Sequence, residues 1–281
     1  MDSVVVLIAA PRSGAITPDM ARVLNGKWLS AGEALEVSAA HEGDARKLTA
    51  GMKIDINRVP LANRRKRILL ADMDSTMIQQ ECIDELGVVA GVGDHIKAVT
   101  ARAMNGEIDF EGALKERVAL LKGLPQSVIQ EVIDTRITFM QGGKTLLATM
   151  KKHGAYTALV SGGFTAFTSH VAASLGFHEN RANELLVVDG KLTGEVAMPI
   201  LGKDAKVESL IRICSVHGLS PADVLAVGDG ANDIPMLQAA GMGVALHAKP
   251  VVQEQARMVI NHGDLTALLY LQGYQKSEFV V

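Results

Sequence analysis

The chain has 281 residues, of which 48% are hydrophobic and 21% charged, an ordinary globular usage that argues against long disordered segments. This length allows one large α/β domain or a core with one or two smaller modules. With a formal net charge of -3, the chain has no surplus of basic residues for binding nucleic acid or an anionic membrane. We therefore expect a small-molecule partner, and no nucleic acid or membrane.

The cysteines and the apolar runs predict a cytoplasmic protein. Cys82 and Cys214 are far apart and outside any CxxC spacing, which argues against a disulfide framework or a structural zinc site. No basic segment precedes the apolar run from Val4 to Ala10, so it does not resemble a signal peptide. No stretch approaches the roughly 20 apolar residues that a membrane helix needs.

Residues 1–65 predict a small α+β appendage. The patterning indicates a strand at Val4–Ala10, a helix near Met20–Leu24 and a mixed segment around Ala34–Ala39. The run NRRKR at residues 63–67 could be a nucleic-acid or targeting patch. Because the rest of the chain is not basic, we interpret it as a solvated linker into the next strand.

The linker is followed by a pattern typical of buried parallel strands. Ile68–Ala71 is apolar without alternation and ends at carboxylates. Similar strands are predicted at Tyr156–Val160, Val224–Val227, Val244–Leu246 and Met258–Ile260, with helices at Phe164–Leu175 and Asp233–Ala240. This alternation predicts an α/β fold with a doubly wound parallel sheet, whose strands bring their carboxyl ends to one edge. We assign residues 66–78 and 152–281 to this core.

A long insert separates the first two predicted strands of the core. It has about eighty residues, more than a simple crossover needs. Apolar residues repeat in it at helical spacing, as at Cys82, Leu86 and Val89. We therefore predict a small helical cap over residues 79–151. Farther along, Asp189-Gly190 predicts a hairpin over residues 185–196 at the margin of the sheet.

Two acidic clusters follow strands of the predicted sheet. Asp72 and Asp74 come directly after the first strand, and Asp229 and Asp233 come after the strand that ends at Val227. A helix cap or a turn explains either cluster alone at least as well as a metal site does. Their position at equivalent strand ends favours a shared cation, and oxygen ligands suit Mg²⁺.

Phosphoryl-binding groups follow a second strand. Ser161, Gly162 and Gly163 come after the strand at 156–160, and Lys206 lies on a predicted helix before the second acidic cluster. Singly, these residues are more typical of a loop and of a surface lysine. Together they supply a hydroxyl, backbone N–H groups and a cation, which a phosphoryl group with charge on three oxygens needs.

The order of these motifs resembles a known family. DMDST at 72–76, SGG at 161–163, Lys206 and GDGAND at 228–233 are similar to the four motifs of the haloacid dehalogenase superfamily of phosphatases. Within it, residues 72–86, 110–125, 160–164 and 227–233 resemble the phosphoserine phosphatase family. The similarity spans roughly residues 66–270 and implies a Rossmann-like core. It does not cover the first sixty residues.

This resemblance implies a Mg²⁺-dependent phosphatase with a covalent intermediate. Asp72 is expected to be the nucleophile and to carry the phosphoryl group. Asp74 is expected to protonate the leaving oxygen and then to act as the base for the water that cleaves the aspartyl-phosphate. The metal ligands implied are Asp72, the backbone carbonyl of Asp74 and Asp229, with Asp233 in support.

The remaining site residues are also implied by the resemblance. Ser161, Gly162 and Lys206 are expected to hold the phosphoryl oxygens, and Asn232 is expected to help position them. In the cap, Glu81 is expected to pair with the substrate ammonium and Arg117 to clamp its carboxylate, for which a guanidinium fork is well suited. Without the resemblance, surface charges on amphipathic helices would explain these last two residues better.

The implied substrate is O-phospho-L-serine, and the reaction is the last step of serine biosynthesis. Alternatives are a related capped phosphatase or phosphotransferase for another small phosphorylated metabolite, and a signalling module in which Asp72 only stores phosphate. The helical insert and the placement of Asp74 argue against the signalling module. The amino-terminal segment could bind an effector such as serine. The sequence leaves open whether the protein is a monomer or a homodimer.

Overall fold

The computed structural model describes residues 2–104 and 107–280. In this part of the chain, no helix combines the length and the apolar character needed to cross a membrane. The amino-terminal elements are β1 (Ser3–Ala9), α1 (Pro18–Val23), β2 (Lys27–Ser30), β3 (Ala34–Ser38), α2 (Glu42–Leu48) and β4 (Ile54–Pro60). They form an antiparallel sheet of order β2-β3-β1-β4 with two helices, which confirms the predicted α+β appendage.

The elements after the linker alternate between strands and helices. In chain order they are β5 (Ile68–Ala71), α3 (Cys82–Val89), α4 (Gly93–Met104), α5 (Phe110–Ala119), α6 (Ser127–Arg136), α7 (Gly143–Lys152), β6 (Tyr156–Phe164), α8 (Thr165–Leu175), β7 (Glu179–Asn183), β8 (Leu185–Val188), β9 (Lys191–Val196), α9 (Lys203–His217), β10 (Val224–Gly228), α10 (Ile234–Ala239), β11 (Met242–Leu246), α11 (Pro250–Gln253), β12 (Met258–Ile260) and α12 (Ala267–Leu271).

The core is a parallel sheet of order β12-β11-β10-β5-β6-β7, as the sequence predicts. Strand β5 lies between β10 and β6, and all four of its residues are buried. A strand that is covered on both faces needs apolar side chains at every position, which explains its lack of alternation. The carboxyl ends of β5, β6 and β10 therefore meet at one edge of the sheet.

Helices α3 to α6 form the insert between β5 and β6. The chain enters and leaves it side by side, because Ile78 and Phe139 form an antiparallel bridge and the Met140 N–H donates to the Met77 carbonyl at 2.9 Å. Helix α7 lies inside the predicted cap range 79–151 but packs against β6 and α8 of the core. Its apolar stripe, which includes Leu146, covers the sheet, so the insert ends near residue 140.

The hairpin β8–β9 is not at the sheet margin, where the sequence analysis placed it. It forms a separate two-stranded sheet and contacts the end of α5 and the segment after it. Leu192 of β9 accepts a hydrogen bond from the Gly123 N–H at 2.8 Å and donates to the Leu124 carbonyl at 2.9 Å. Asp-Gly correctly predicts the turn, but a turn signal contains no information about what the hairpin packs against.

The amino-terminal sheet is buried on both faces. Val5 and Leu7 of β1 face a small core shared with α1 and α2. The alternate residues Val6 and Ile8 join the large core of the rest of the chain, together with Leu268 of α12. The appendage therefore shares a continuous apolar core with the phosphatase-like part.

Candidate active site

Three buried carboxylates converge at the sheet edge. Asp72 directly follows β5, and its N–H donates to the Val227 carbonyl of β10 at 3.0 Å. Asp229 and Asp233 follow β10. Each of the three aspartates offers an oxygen within 4.8 Å of the others. Such a group of buried oxygens can hold a divalent cation.

Lys206 of α9 lies between two of these aspartates. Its Nζ is 2.6 Å from Asp72 Oδ1 and also donates a hydrogen bond to Asp233, and the lysine side chain is 1% exposed. Burial and the charge of Asp233 raise the pKa of Asp72 well above its usual value, although Lys206 opposes this. Burial lowers the pKa of Lys206, but the two carboxylates outweigh it and raise the pKa overall. One lysine does not balance three carboxylates, so the donor set fits a further cation with oxygen ligands.

The loop after β10 fixes the other two carboxylates. Asp233 Oδ2 accepts hydrogen bonds from the N–H groups of Asp229 at 3.2 Å and Gly230 at 3.0 Å. Burial, and then the charge of Asp233, raise the pKa of Asp229 to about 6. A Cβ at Gly228 would lie 2.4 Å from Asp233 Cγ, so the tight turn of this loop requires a glycine there.

Asp74 lies in a different hydrogen-bonding environment. Its Oδ1 accepts from the Cys82 N–H at 2.9 Å, and its Oδ2 accepts from Ser161 Oγ at 3.3 Å. Burial raises the pKa of Asp74, while these hydrogen bonds oppose the shift. A Cβ at Gly163 would lie 2.7 Å from Asp74 Oδ2, so the second glycine after Ser161 permits this close approach. A carboxyl group with a raised pKa can carry a proton.

Ser161, Gly162 and Gly163 lie next to Asp74, as the sequence predicts for a shared site. They belong to β6, where its pairing with β7 is irregular, and not to a loop after the strand as the sequence analysis expected. The Gly163 N–H donates to Ser161 Oγ at 2.8 Å. Phe110, the first residue of α5, covers this segment, because a Cβ at Gly162 would lie 3.0 Å from Phe110 Cζ. Phe110 keeps 38% of its surface exposed, so it lies over the end of β6 at the surface and is not part of the apolar core.

Glu81 precedes α3 at the entrance to the insert. Its Oε1 accepts a hydrogen bond from Ser75 Oγ at 2.8 Å, and Ser75 has the left-handed φ of 53°. The Glu81 residue keeps contact with solvent, but the protein around its carboxylate and the nearby charge of Asp74 raise its pKa to about 7. The structure therefore brings Glu81 beside the acidic site.

Arg117 of α5 is half-buried on the same side of the site. Its Nε donates to the Ala113 carbonyl at 3.2 Å. Burial lowers its pKa, whereas the charges of Asp84, Glu81 and Asp74 oppose the shift. The side-chain contacts of Arg117 are with Ala113 and, at 3.5 Å, with Thr100 Oγ1, and its role as a carboxylate clamp stays a prediction.

Asn232 is half-buried in the loop after β10. A Cβ at Gly230 would lie 2.4 Å from Asn232 Oδ1, so the asparagine side chain folds back over that glycine. Its proposed contact with phosphoryl oxygens stays a prediction.

Comparison with known proteins identifies the family. The family model of haloacid dehalogenase-like hydrolases matches residues 69–238. The chain belongs to this family. The matched range includes all the carboxylates described above, together with Ser161 and Lys206 of this hydrolase.

Individual relatives cover most of this hydrolase. The phosphoserine phosphatase of Haemophilus influenzae is 40% identical over 251 residues, which are 89% of this chain and 76% of the relative. A haloacid dehalogenase family hydrolase from Salmonella enterica serovar Typhi has a TM-score of 0.84 at 29% identity and covers 96% of this chain and 97% of its own. A solved phospho-aspartyl intermediate analogue of a phosphoserine phosphatase has a TM-score of 0.69 at 41% identity, covering 73% of this chain and 98% of its own.

Sequence reasoning missed several residues at the site of this hydrolase. Thr76 Oγ1 donates to Asp229 Oδ1 at 3.3 Å, and the Lys249 N–H donates to the Asp229 carbonyl at 3.2 Å. Asn183 binds the Gly162 carbonyl at 2.8 Å. Thr76 belongs to the DMDST motif and could have been included, whereas Lys249 and Asn183 are single polar residues without a motif around them.

Proposed function

We propose that this hydrolase converts O-phospho-L-serine to L-serine and phosphate, the last step of serine biosynthesis. The observation that carries the proposal is the pairing of two different carboxylates at one strand end: Asp72 bound to Lys206, and Asp74 bound to Ser161. The phosphoserine phosphatase from Haemophilus influenzae and the solved phospho-aspartyl analogue support the choice of substrate and intermediate.

The reaction has two steps on the residues of this chain. In the first, a carboxylate oxygen of Asp72 forms a bond to phosphorus, the bond from phosphorus to the serine oxygen breaks, and Asp74 gives its proton to that oxygen. In the second, water attacks phosphorus, Asp74 takes a proton from the water, and the bond to Asp72 breaks to release phosphate. The raised pKa of Asp74 suits a group that must both give and take a proton.

Mg²⁺ is the proposed cofactor, held by Asp72, Asp229 and the backbone carbonyl of Asp74. Asp233 would support it by orienting the loop after β10, since its carboxylate already binds two N–H groups of that loop. When bound, Mg²⁺ supplies positive charge to the transferring phosphoryl group.

Substrate recognition is divided between core and cap. Ser161, Gly162, Lys206 and Asn232 bind and position the phosphoryl oxygens in this proposal. In the insert, Glu81 binds the ammonium and Arg117 the carboxylate of serine. Neutralising both ends of the amino acid favours phosphoserine over a sugar phosphate, which carries neither charge.

The assignment of domains belongs to the same proposal. The insert acts as a cap that opens for substrate and closes to exclude water from Asp72. The cytoplasmic location and the choice between monomer and homodimer stay predictions.

Steady-state release of phosphate tests the proposal. Wild type, Asp72→Asn and the control Asp44→Asn, an exposed residue of α2, are compared on O-phospho-L-serine, O-phospho-L-threonine and a sugar phosphate with Mg²⁺. We expect preference for phosphoserine, full activity in the control, and a loss of about 10⁴-fold or more in Asp72→Asn. If wild type releases no more than one phosphate per chain, the signalling alternative replaces the hydrolase reaction. If it prefers the sugar phosphate, the substrate assignment is wrong.

A further inference from the structure

Asn183 is a buried polar residue at the edge of the active site. It is the last residue of β7, next to β6, and only 2% of its surface is exposed. Its side chain is not part of any motif in the sequence analysis. Because a buried amide is costly unless its hydrogen bonds are made, its partners indicate its role.

The side-chain amide binds two separate backbone segments. Its Nδ2 donates to the Gly162 carbonyl at 2.8 Å and to the Leu201 carbonyl at 3.3 Å. Its Oδ1 accepts from the Leu201 N–H at 2.7 Å. The asparagine therefore joins the end of β6 to the segment that precedes α9.

On one side, hydrogen bonds continue from Asn183 to the proposed proton carrier. The peptide unit between Gly162 and Gly163 is held at its carbonyl by Asn183 and at its N–H by Ser161 Oγ, at 2.8 Å. Ser161 Oγ in turn donates to Asp74 Oδ2 at 3.3 Å. The amide thus fixes the plane of the peptide that orients the Ser161 hydroxyl toward Asp74.

On the other side, Asn183 fixes the start of the helix that carries the active-site lysine. Leu201 immediately precedes Gly202, the N-cap of α9, and Lys206 lies in the first turns of that helix. Lys206 Nζ is 2.6 Å from Asp72 Oδ1. A shift of the Leu201 backbone would therefore move the lysine relative to the nucleophile.

We propose that Asn183 is a positioning residue that locks residues 161–163, the proposed phosphate-binding segment at the end of β6, and the start of α9 in one arrangement. The inference rests on the proposed function, because it assigns phosphoryl binding to these two segments. An asparagine is required because one planar amide both donates to two carbonyls and accepts from an N–H. Aspartate would keep the acceptor but would place an oxygen against the Gly162 and Leu201 carbonyls.

The chain contains a matched control for the loss of these bonds. Asn57 of β4 is 5% exposed and pairs with the backbone of Val259 in the same way: its Nδ2 donates to the Val259 carbonyl at 2.9 Å and its Oδ1 accepts from the N–H at 2.8 Å. This pair joins the amino-terminal sheet to β12, which is separated from β5 by β11 and β10. Asn57→Asp removes the same kind of interaction outside the active site.

The experiment compares Asn183→Asp with Asn57→Asp. Melting temperature, kcat and KM for phosphoserine, and the calorimetric affinity for inorganic phosphate with Mg²⁺ are measured for both. We expect both variants to melt at lower temperature than wild type. Only Asn183→Asp should lose kcat/KM by about tenfold to a hundredfold and phosphate affinity by about tenfold. Asn57→Asp should keep both within about twofold.

These measurements decide the inference. It is overturned if folded Asn183→Asp keeps kcat/KM and phosphate affinity within about twofold of wild type, or if both variants lose activity equally. If Asn183→Asp does not fold, Asn183→Ser is judged by the same criteria. If wild type binds phosphate but does not hydrolyse phosphoserine, the substrate proposal fails, and the phosphate affinities alone decide the role of Asn183.

Discussion

Asp72 and Asp74 are two residues apart but are surrounded by different partners. Asp72 contacts the ammonium of Lys206, whereas Asp74 receives hydrogen bonds from the Cys82 N–H and Ser161 Oγ. Burial raises the pKa of both carboxyl groups. The ammonium of Lys206 opposes the shift at Asp72, whereas the hydrogen bonds from Cys82 and Ser161 oppose it at Asp74. Asp74 has no bonded cation, which suits the proton-carrying role proposed for it.

Replacing Asp74 with Asn separates its two roles. We expect kcat for phosphoserine to fall by about 10²–10⁴-fold, because the serine oxygen then leaves without a proton. With p-nitrophenyl phosphate the leaving group needs no proton, so the first step should be much less affected. The second step still lacks its base, and rapid mixing should show a burst of one nitrophenolate per chain. An equal loss in the first step for both substrates would contradict the assignment of Asp74 as general acid.

Glu81 predicts a pH dependence of substrate binding. With its pKa raised to about 7, Glu81 is ionised above that pH and increasingly protonated below it. If it binds the substrate ammonium, KM for phosphoserine should rise as the pH falls below 7, by up to about tenfold per pH unit. Glu81→Gln should have a high KM without this dependence. An analogue that lacks the ammonium controls for titration of the phosphate, and the same pH profile with it would contradict the role of Glu81.

At the residue level, motifs decide what the sequence can predict. The acidic clusters are dense enough to stand out, and the structure brings Asp72, Asp229 and Asp233 together. Asn183 gives no such signal, because its hydrogen bonds are to two backbone segments that only the fold places beside it.

At the level of elements, the periodicity of apolar residues predicts whether a segment is a helix or a strand. It predicts less well what that helix or strand packs against. Strands β5 and β10 of the parallel sheet are buried on both faces, so each is a continuous apolar run that the sequence shows clearly. Helix α7 was assigned to the cap because its amphipathic pattern is the same whether the helix covers a sheet or another helix. The hairpin β8–β9 is predicted from Asp189-Gly190 alone, and this turn signal does not tell which surface the hairpin packs against.

The two connections between the insert and the core, which run side by side at Ile78 and Phe139, should control access to the site. Gln80 joins them, because its Nε2 donates to Thr138 Oγ1 at 2.8 Å and its Oε1 accepts from the Thr138 N–H at 2.9 Å. Gln80→Ala removes both bonds and should favour open forms of the cap. We expect KM for phosphoserine to rise by roughly threefold to tenfold, because fewer molecules are competent to bind.

The control for this prediction is Gln130→Ala on α6. Gln130 is exposed and bonds Asp134 within the same helix. Its KM should equal that of wild type. An unchanged KM in Gln80→Ala would show that these side chains do not influence opening of the cap.

At the level of the whole molecule, the amino-terminal part and the core should unfold together. Asp55 of β4 is 6% exposed and accepts hydrogen bonds from the N–H groups of Asn261, His262 and Gly263 at 2.8, 2.9 and 3.0 Å. Asp55→Ala leaves three backbone N–H groups without this partner, of which that of Gly263 is buried, and this should cost about 3–5 kcal/mol. Calorimetry should show a single transition at a temperature lower by roughly 10 °C.

Asp44→Ala, on exposed α2, is the control and should melt close to wild type. Two separate transitions in Asp55→Ala, with only the first shifted, would contradict the continuous core inferred from the packing of β1.

The charge of the acidic site predicts how Mg²⁺ and pH act on stability. The pKa of Asp229 is about 6 in the folded protein, above the unfolded value of about 3.9. Its contribution to stability is therefore present below about pH 4 and is lost as the pH rises through 6. Metal-free enzyme should lose this stability between about pH 4 and pH 6 and change little above that range. If Mg²⁺ binds the ionised carboxylates, as proposed above, it should restore this stability.

Melting in EDTA and in excess Mg²⁺ measures this effect. At a concentration about 100 times its Kd, Mg²⁺ should add about 2.7 kcal/mol at pH 8, a rise of roughly 5–10 °C, and clearly less at pH 5. Asp229→Asn removes one ligand charge and should lose most of the Mg²⁺ effect, and its metal-free stability should depend less on pH over this range. An equal effect of Mg²⁺ at both pH values, or one that survives in Asp229→Asn, would mean that the stabilising ion binds somewhere other than the carboxylates at the sheet edge.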